Sequence, residues 1–180
     1  VEDLMQEAEG KLFQISQRNV KKDVTQINPV IKEAMVMLEK AANQKEGLSG
    51  LRTGFEGLDK MTSGWQNSDL IIIAARPAMG KTAFVLSMAK NMAVNHNTPV
   101  ALFSLEMSNV QLVNRLIVNV CEIPGEKIKS GRLESYEWEQ LDFKIKELYD
   151  APIFVDDTPS LSVFELRTKA RRLVREHGIK

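Results

Sequence analysis

The chain has 180 residues, 43% of them hydrophobic and 27% charged, with 24 Lys+Arg balanced by 24 Asp+Glu. That length allows one packed domain plus an appendage, and zero net charge leaves no global basic footprint of the kind that nucleic-acid binding produces. The single cysteine, Cys121, excludes an intramolecular disulfide framework and fits a reducing cytoplasm, while no apolar run approaches the roughly 20 residues of a membrane helix.

The sequence starts at Val1 with no signal-peptide pattern, so it is expected to be an excised part of a longer protein. Residues 3–18 read as a helix, with Leu4, Ala8, Leu12 and Ile15 on one stripe. After the polar stretch "QRNVKKD", the segment "INPVIKEAMVMLEKAANQK" carries a helix-start signal, Asn28 as N-cap and Pro29 at the first helical position. Val30, Ile31, Ala34, Met35, Leu38, Ala41 and Ala42 follow the i, i+3, i+4 rhythm of an apolar face. The Gly-containing stretch "NQKEGLSGLRTGFEG" then marks a boundary, which divides a helical region, 1–46, from a second domain, 47–180.

From Asp69 the pattern alternates strand and helix. Leu70–Ala74 is a continuous apolar, β-branched run, as expected for a parallel strand covered on both faces. A helix over about 81–95 is apolar almost all round. "PVALFSLEMS" reads as a second strand, 110–120 as a helix, 123–131 as a short helical piece, and "ESYEWEQLDFKIKELYD" as an amphipathic helix. "PIFVDD" is a third strand, and "LSVFELRTKARRLVREHG" a helix closed by Gly178 as a left-handed cap. The fold class is therefore α/β with a mainly parallel, incomplete sheet, preceded by a helical segment.

Between the first strand and its helix lies Ala75-Arg76-Pro77-Ala78-Met79-Gly80-Lys81-Thr82. This is the phosphate-binding pattern G-x-x-x-x-G-K-[ST] with alanine at its first position. In such a loop, backbone N–H groups converge on phosphates at a helix N-terminus. Lys81 supplies a charge to the β/γ-phosphates and Thr82 a hydroxyl to Mg²⁺. Gly80 stands where a side chain would collide with phosphate. Ala75 sits farther away and is tolerable if its φ is negative. Pro77 removes one N–H but stiffens the cradle.

In open α/β sheets ligands bind beyond the carboxyl ends of the strands. Glu106 lies there, in "LFSLEMS", either orienting a water that attacks the γ-phosphate or serving as a helix-start acid. Asp156, after four apolar residues in "PIFVDD", has the look of a magnesium-holding aspartate. Arg76 is either a phosphate contact or a solvated loop residue. Arg167, Lys169, Arg171, Arg172 and Arg175 read as a solvated basic face. Trp65, Trp138 and Phe143 suit packing, as do Met5, Met35, Met37, Met88 and Met92. His96 and His177 lack partners at metal spacing.

"AARPAMGKT", with "TGFEGLDKMTSGWQNSDLIII" before it and "FSLEMS" after it, resembles the DnaB family of bacterial replicative DNA helicases, from about Thr53 to the end and more weakly before it. In that family alanine followed by Arg-Pro is the usual start of the loop. The resemblance implies a truncated RecA-like P-loop domain behind a linker helix, with ATP and Mg²⁺ bound by Ala75–Thr82. It gives catalytic roles to Lys81 and to Glu106, which stands where the family's hydrolytic glutamate does. It sets Asp156 and Asp157 aside, because the family's metal-linked aspartate lies on a later strand. It further implies a homohexameric ring on single-stranded DNA, partnered by primase and a helicase loader in the bacterial cytoplasm at the nucleoid. Val30, Ile31, Ala34, Met35 and Leu38 would dock on a neighbouring subunit. Alternatives are a RecA/RadA-type recombination ATPase, a P-loop small-molecule kinase lacking any visible acceptor site or lid, and a non-catalytic assembly module.

Overall fold

A computed structural model describes residues 7, 10, 11, 26–42 and 48–179, in two compact units, Val1–Gly47 and Leu48–Lys180. Most of the helix expected over residues 3–18 lies outside the described residues. In the first unit, α1 spans Ile27–Ala42. It begins just ahead of the expected N-cap, so Asn28 and Pro29 fall in its first turn. Proline is accepted there because its missing N–H would have had no partner. Along the stripe Val30, Ile31, Ala34, Met35 and Leu38 every side chain is exposed.

The second unit opens with a strap, residues 50–66. Leu51 and Trp65 exchange backbone hydrogen bonds, 2.7 and 2.8 Å, around helix α2, Glu56–Thr62. Helix α3, Lys81–Lys90, follows the phosphate-binding pattern and continues as a π-helical turn, Asn91–Asn95. Strand β1, Val100–Phe103, leads to α4, Asn109–Cys121, then α5, Gly125–Ser130. The expected amphipathic helix is divided at Ile145 into α6, Ser135–Lys144, and α7, Lys146–Tyr149. Strand β2, Ile153–Asp156, and helix α8, Val163–His177, complete the order. Gly178, at φ 66°, donates its N–H to Val174 O as the left-handed cap.

β1 and β2 pair in parallel, Val100 with Ile153 and Phe103 with Asp156, and the crossover between them carries α4 to α7. The centre of the unit is Leu86 from α3 against Leu112 and Leu116 from α4, with Leu102, Ile153, Val155, Met107 and Leu148 packed around them. Each buried leucine contributes about 1.5–3 kcal/mol. α3 is half-buried, not covered all round: Leu86, Met88 and Ala89 face the core, while Phe84 is partly exposed.

The stretch Leu70–Ala74 departs from its expected place as a covered parallel strand. Among the described residues it pairs with nothing, and Leu70 and Ile72 are 88% and 82% exposed. A strand exists through its ladder, and an apolar run without one keeps only its alternation. Ile71 and Ile73 line a cavity beside α3, and Leu70 and Ile72 face outward.

Candidate functional site

Arg76-Pro77-Ala78-Met79 forms a tight turn closed by Met79 N–H to Arg76 O at 3.2 Å. Pro77 pre-sets the first corner, and Ala78 takes the second at φ 62°, the signs of a type II turn. An alanine in that region carries roughly 1–2 kcal/mol of strain. Ala75 has no positive φ, in keeping with the condition set by its side chain. The left-handed positions of the loop are Ala78 and Gly80, and proline at the preceding position is the sequence signal for the former.

Gly80 caps α3 at φ 84° and ψ 16°, and its carbonyl accepts the N–H of Phe84 at 2.9 Å. The left-handed backbone is what calls for glycine here, since a Cβ at this position would meet nothing within 4 Å. The space above the loop is open. No side chain caps this helix, and its first turn contains no acid. Its leading N–H groups and dipole therefore offer an anion both hydrogen bonds and charge.

Lys81, Thr82 and Glu106 line one cavity of about 560 Å³, floored by Leu86, Leu102 and Phe103 and bordered by Ile71 and Ile73. Glu106 reaches it from the turn after β1. Ser104 Oγ brackets that turn, accepting Met107 N–H at 3.0 Å and donating to Met107 O at 2.8 Å. The N-cap of α4 is Ser108, in a capping box with Gln111. Glu106 thus stands two residues ahead of the cap, outside the first helical turn, and the helix-start role does not describe its position.

Asp156 is held in local structure. Its carboxylate accepts from Lys169 Nζ at 2.6 Å and from the Thr158 N–H at 2.9 Å. The Lys169 hydrogen bond first, and then the two from Thr158, lower its pKa to about 2. Asp157 accepts the Asn109 N–H at 2.8 Å and so ties the exit of β2 to the start of α4. Ser104, Asp157 and the strap are not singled out by the sequence as structural elements of the site. The S-x-x-Q of Ser108–Gln111 is a legible signal, but the others depend on contacts that no local pattern announces.

No group of three or more His, Cys, Asp or Glu among the described residues could hold a metal. At the loop itself the hard oxygen donor is the Thr82 hydroxyl, at the start of α3, a ligand type that hard cations such as Mg²⁺ accept. No described helix is long and apolar enough to cross a membrane.

Residues 50–180 match the family described as "DnaB-like helicase C terminal domain". Over 176 residues, 98% of this chain, the sequence is 44% identical to the "Replicative DNA helicase DnaB" of Nostoc sp. (strain PCC 7120) and covers 20% of that protein. It is 41% identical over 179 residues to the protein of that name from Geobacillus stearothermophilus, covering 39% of it. The chain thus spans well under half the length of these relatives. Its fold is similar to a solved ATPase-domain structure, at TM-score 0.76 and 36% identity, covering 86% of this chain and 54% of that one. A second, "The Structure Of A DnaB-Like Replicative Helicase And Its Interactions With Primase", has a TM-score of 0.75 at 34% identity, over 96% of this chain and 41% of that one.

Proposed function

This chain belongs to the family of DnaB-like helicase C-terminal domains, and we propose that it binds Mg-ATP on Ala75–Thr82 as part of a ring helicase at the replication fork. One observation carries the reading: Lys81 and Thr82, at an uncapped helix N-terminus, share a cavity with Glu106 at the exit of the neighbouring strand. The backbone of Ala78–Thr82 would cradle the phosphates, with Arg76 at the loop entrance. Lys81 would neutralise charge between the β- and γ-phosphates, and Thr82 would hold Mg²⁺. Mg²⁺ held there would supply charge stabilisation while the γ-phosphoryl group passes to water and ADP leaves. The Glu106 carboxylate would accept a proton from, or orient, the attacking water.

The loop alone does not distinguish a helicase from a strand-pairing ATPase or a kinase, and the relatives' names favour the helicase. In the full-length protein this activity would run in a homohexamer encircling single-stranded DNA. Primase would be a partner, in line with the description of one similar structure, and a helicase loader another. α1 would dock through Val30, Ile31, Ala34, Met35 and Leu38 on a neighbouring subunit. The decisive experiment is unwinding of a forked duplex by the full-length protein with ATP. Failure to unwind, together with ATP-dependent strand pairing, would transfer the protein to the recombination ATPases.

A further inference from the structure

The strap, residues 50–66, is built around a buried carboxylate. Asp59, 8% exposed, accepts three hydrogen bonds: Thr53 N–H at 2.8 Å, Thr53 Oγ1 at 2.7 Å and Gly54 N–H at 3.2 Å. Thr53 has no exposed surface, and its Oγ1 accepts the N–H of Phe55 at 3.2 Å. Asp59 returns its own N–H to Phe55 O at 2.9 Å. The N–H groups of Thr53, Gly54 and Phe55 are thereby all satisfied from within the strap, which fixes the backbone from which the Phe55 side chain departs.

From that backbone Phe55 reaches α3. Its ring stacks on Phe84, with centroids 4.9 Å apart and planes 11° from parallel. Phe84 is the residue whose N–H closes the first turn of α3 onto Gly80 O. One residue earlier in the strap, Gly54 lies so close to Asn91 that a Cβ there would overlap the Asn91 side chain. Phe84 and Asn91 are seven residues apart, two turns along one face of α3 and its π-helical continuation. The strap therefore grips the helix at two heights, and the upper grip is within one turn of Lys81 and Thr82.

We propose that Phe55 is a positioning residue for the nucleotide site: through Phe84 it holds the first turn of α3 in the register that presents the Lys81 ammonium, the Thr82 hydroxyl and the leading N–H groups to the phosphates. This rests on the nucleotide-binding reading of the loop. Phe55 acts through α3, with the Asp59–Thr53 hydrogen bonds behind it. A stack of this kind favours one placement of two rings over others, beyond the area it buries.

The test compares Phe55→Ala, Phe55→Leu and Phe55→Tyr in the full-length protein, with Lys81→Ala as reference. The probe is a fluorescent ATP analogue with Mg²⁺, titrated at a temperature where circular dichroism shows each variant folded. Loss of the ring should raise Kd by about three- to tenfold, the scale of one aromatic pair. Phe55→Leu should share much of that loss although it keeps an apolar side chain, and Phe55→Tyr should restore wild-type affinity. If Phe55→Ala does not fold, Phe55→Leu carries the comparison with Phe55→Tyr. A lower Tm with unchanged Kd in the folded Leu and Ala variants overturns the proposal and leaves Phe55 a packing residue. Equal binding by wild type and Lys81→Ala overturns the nucleotide reading itself, and this inference with it.

Discussion

Lys169 Nζ lies 2.6 Å from Asp156 Oδ2, joining the middle of α8 to the end of β2. Both side chains are about a quarter to a third exposed, at 25% for the acid and 30% for the lysine. The carboxyl pKa falls from 3.8 to about 2. A depressed carboxyl pKa stabilises the folded state above the unfolded value, and that stability fades as pH falls from about 4 through about 2. Asp156→Asn should therefore lower stability by roughly 1–2 kcal/mol at neutral pH after allowance for solvent screening. The gap to wild type in urea unfolding should narrow as pH falls toward about 2 and close below it. Mg-nucleotide affinity should not change, and a large loss of it would return Asp156 to the role of a metal ligand.

Lys81→Ala should weaken Mg-nucleotide binding by the loss of a charge-assisted contact, on the order of 1.5–3 kcal/mol. Lys81 is exposed and stands at the start of α3, so its removal leaves no buried hole and should spare the fold. Titration of a labelled nucleotide reads the effect. Equal affinities would count against the whole loop assignment.

Glu106→Gln preserves the side chain's shape and removes its charge. Hydrolysis by the full-length protein should fall by about 10²-fold or more, the scale of general-base effects, while nucleotide affinity is retained. Steady-state turnover beside equilibrium binding separates the two. The Ser104–Met107 bracket holds the turn independently of Glu106, so misfolding is not the expected route to a loss. Unchanged turnover would remove Glu106 from the chemistry.

The loop is legible because its chemistry is written in consecutive residues, from Ala75 to Thr82. The cap at Gly178 is equally local, and the strands at Val100–Phe103 and Ile153–Asp156 fall within their apolar runs. Leu70–Ala74 misleads for a different reason: an apolar run records what a strand would bury and carries no information on whether a partner is paired with it. Asp156 is undecidable from "PIFVDD" because the deciding group, Lys169, lies 13 residues away across a turn. Thr53 looks like one more polar residue of a Gly-rich connector, although with Asp59 from α2 it satisfies a buried bend. Polar letters in a loop do not reveal which of them end up inside.

The exposed stripe of α1 yields the last prediction. Ile31 and Leu38 are 47% and 68% exposed, with Val30 and Met35 beside them on the same helix. A contiguous apolar patch of a few hundred Å² in water normally marks an interface, and α1 makes one of regular spacing. If a neighbouring subunit covers it, Ile31→Asp with Leu38→Asp would force two carboxylates into that contact. Burying an unpaired charge opposes association by several kcal/mol, far more than the apolar contact it replaces. The doubly substituted full-length protein should disperse from its oligomer, as read by light scattering. Each subunit should still bind nucleotide, since Ala75–Thr82 belongs to the other compact unit. An oligomer of unchanged mass after both substitutions would show that this stripe does not hold the subunits together.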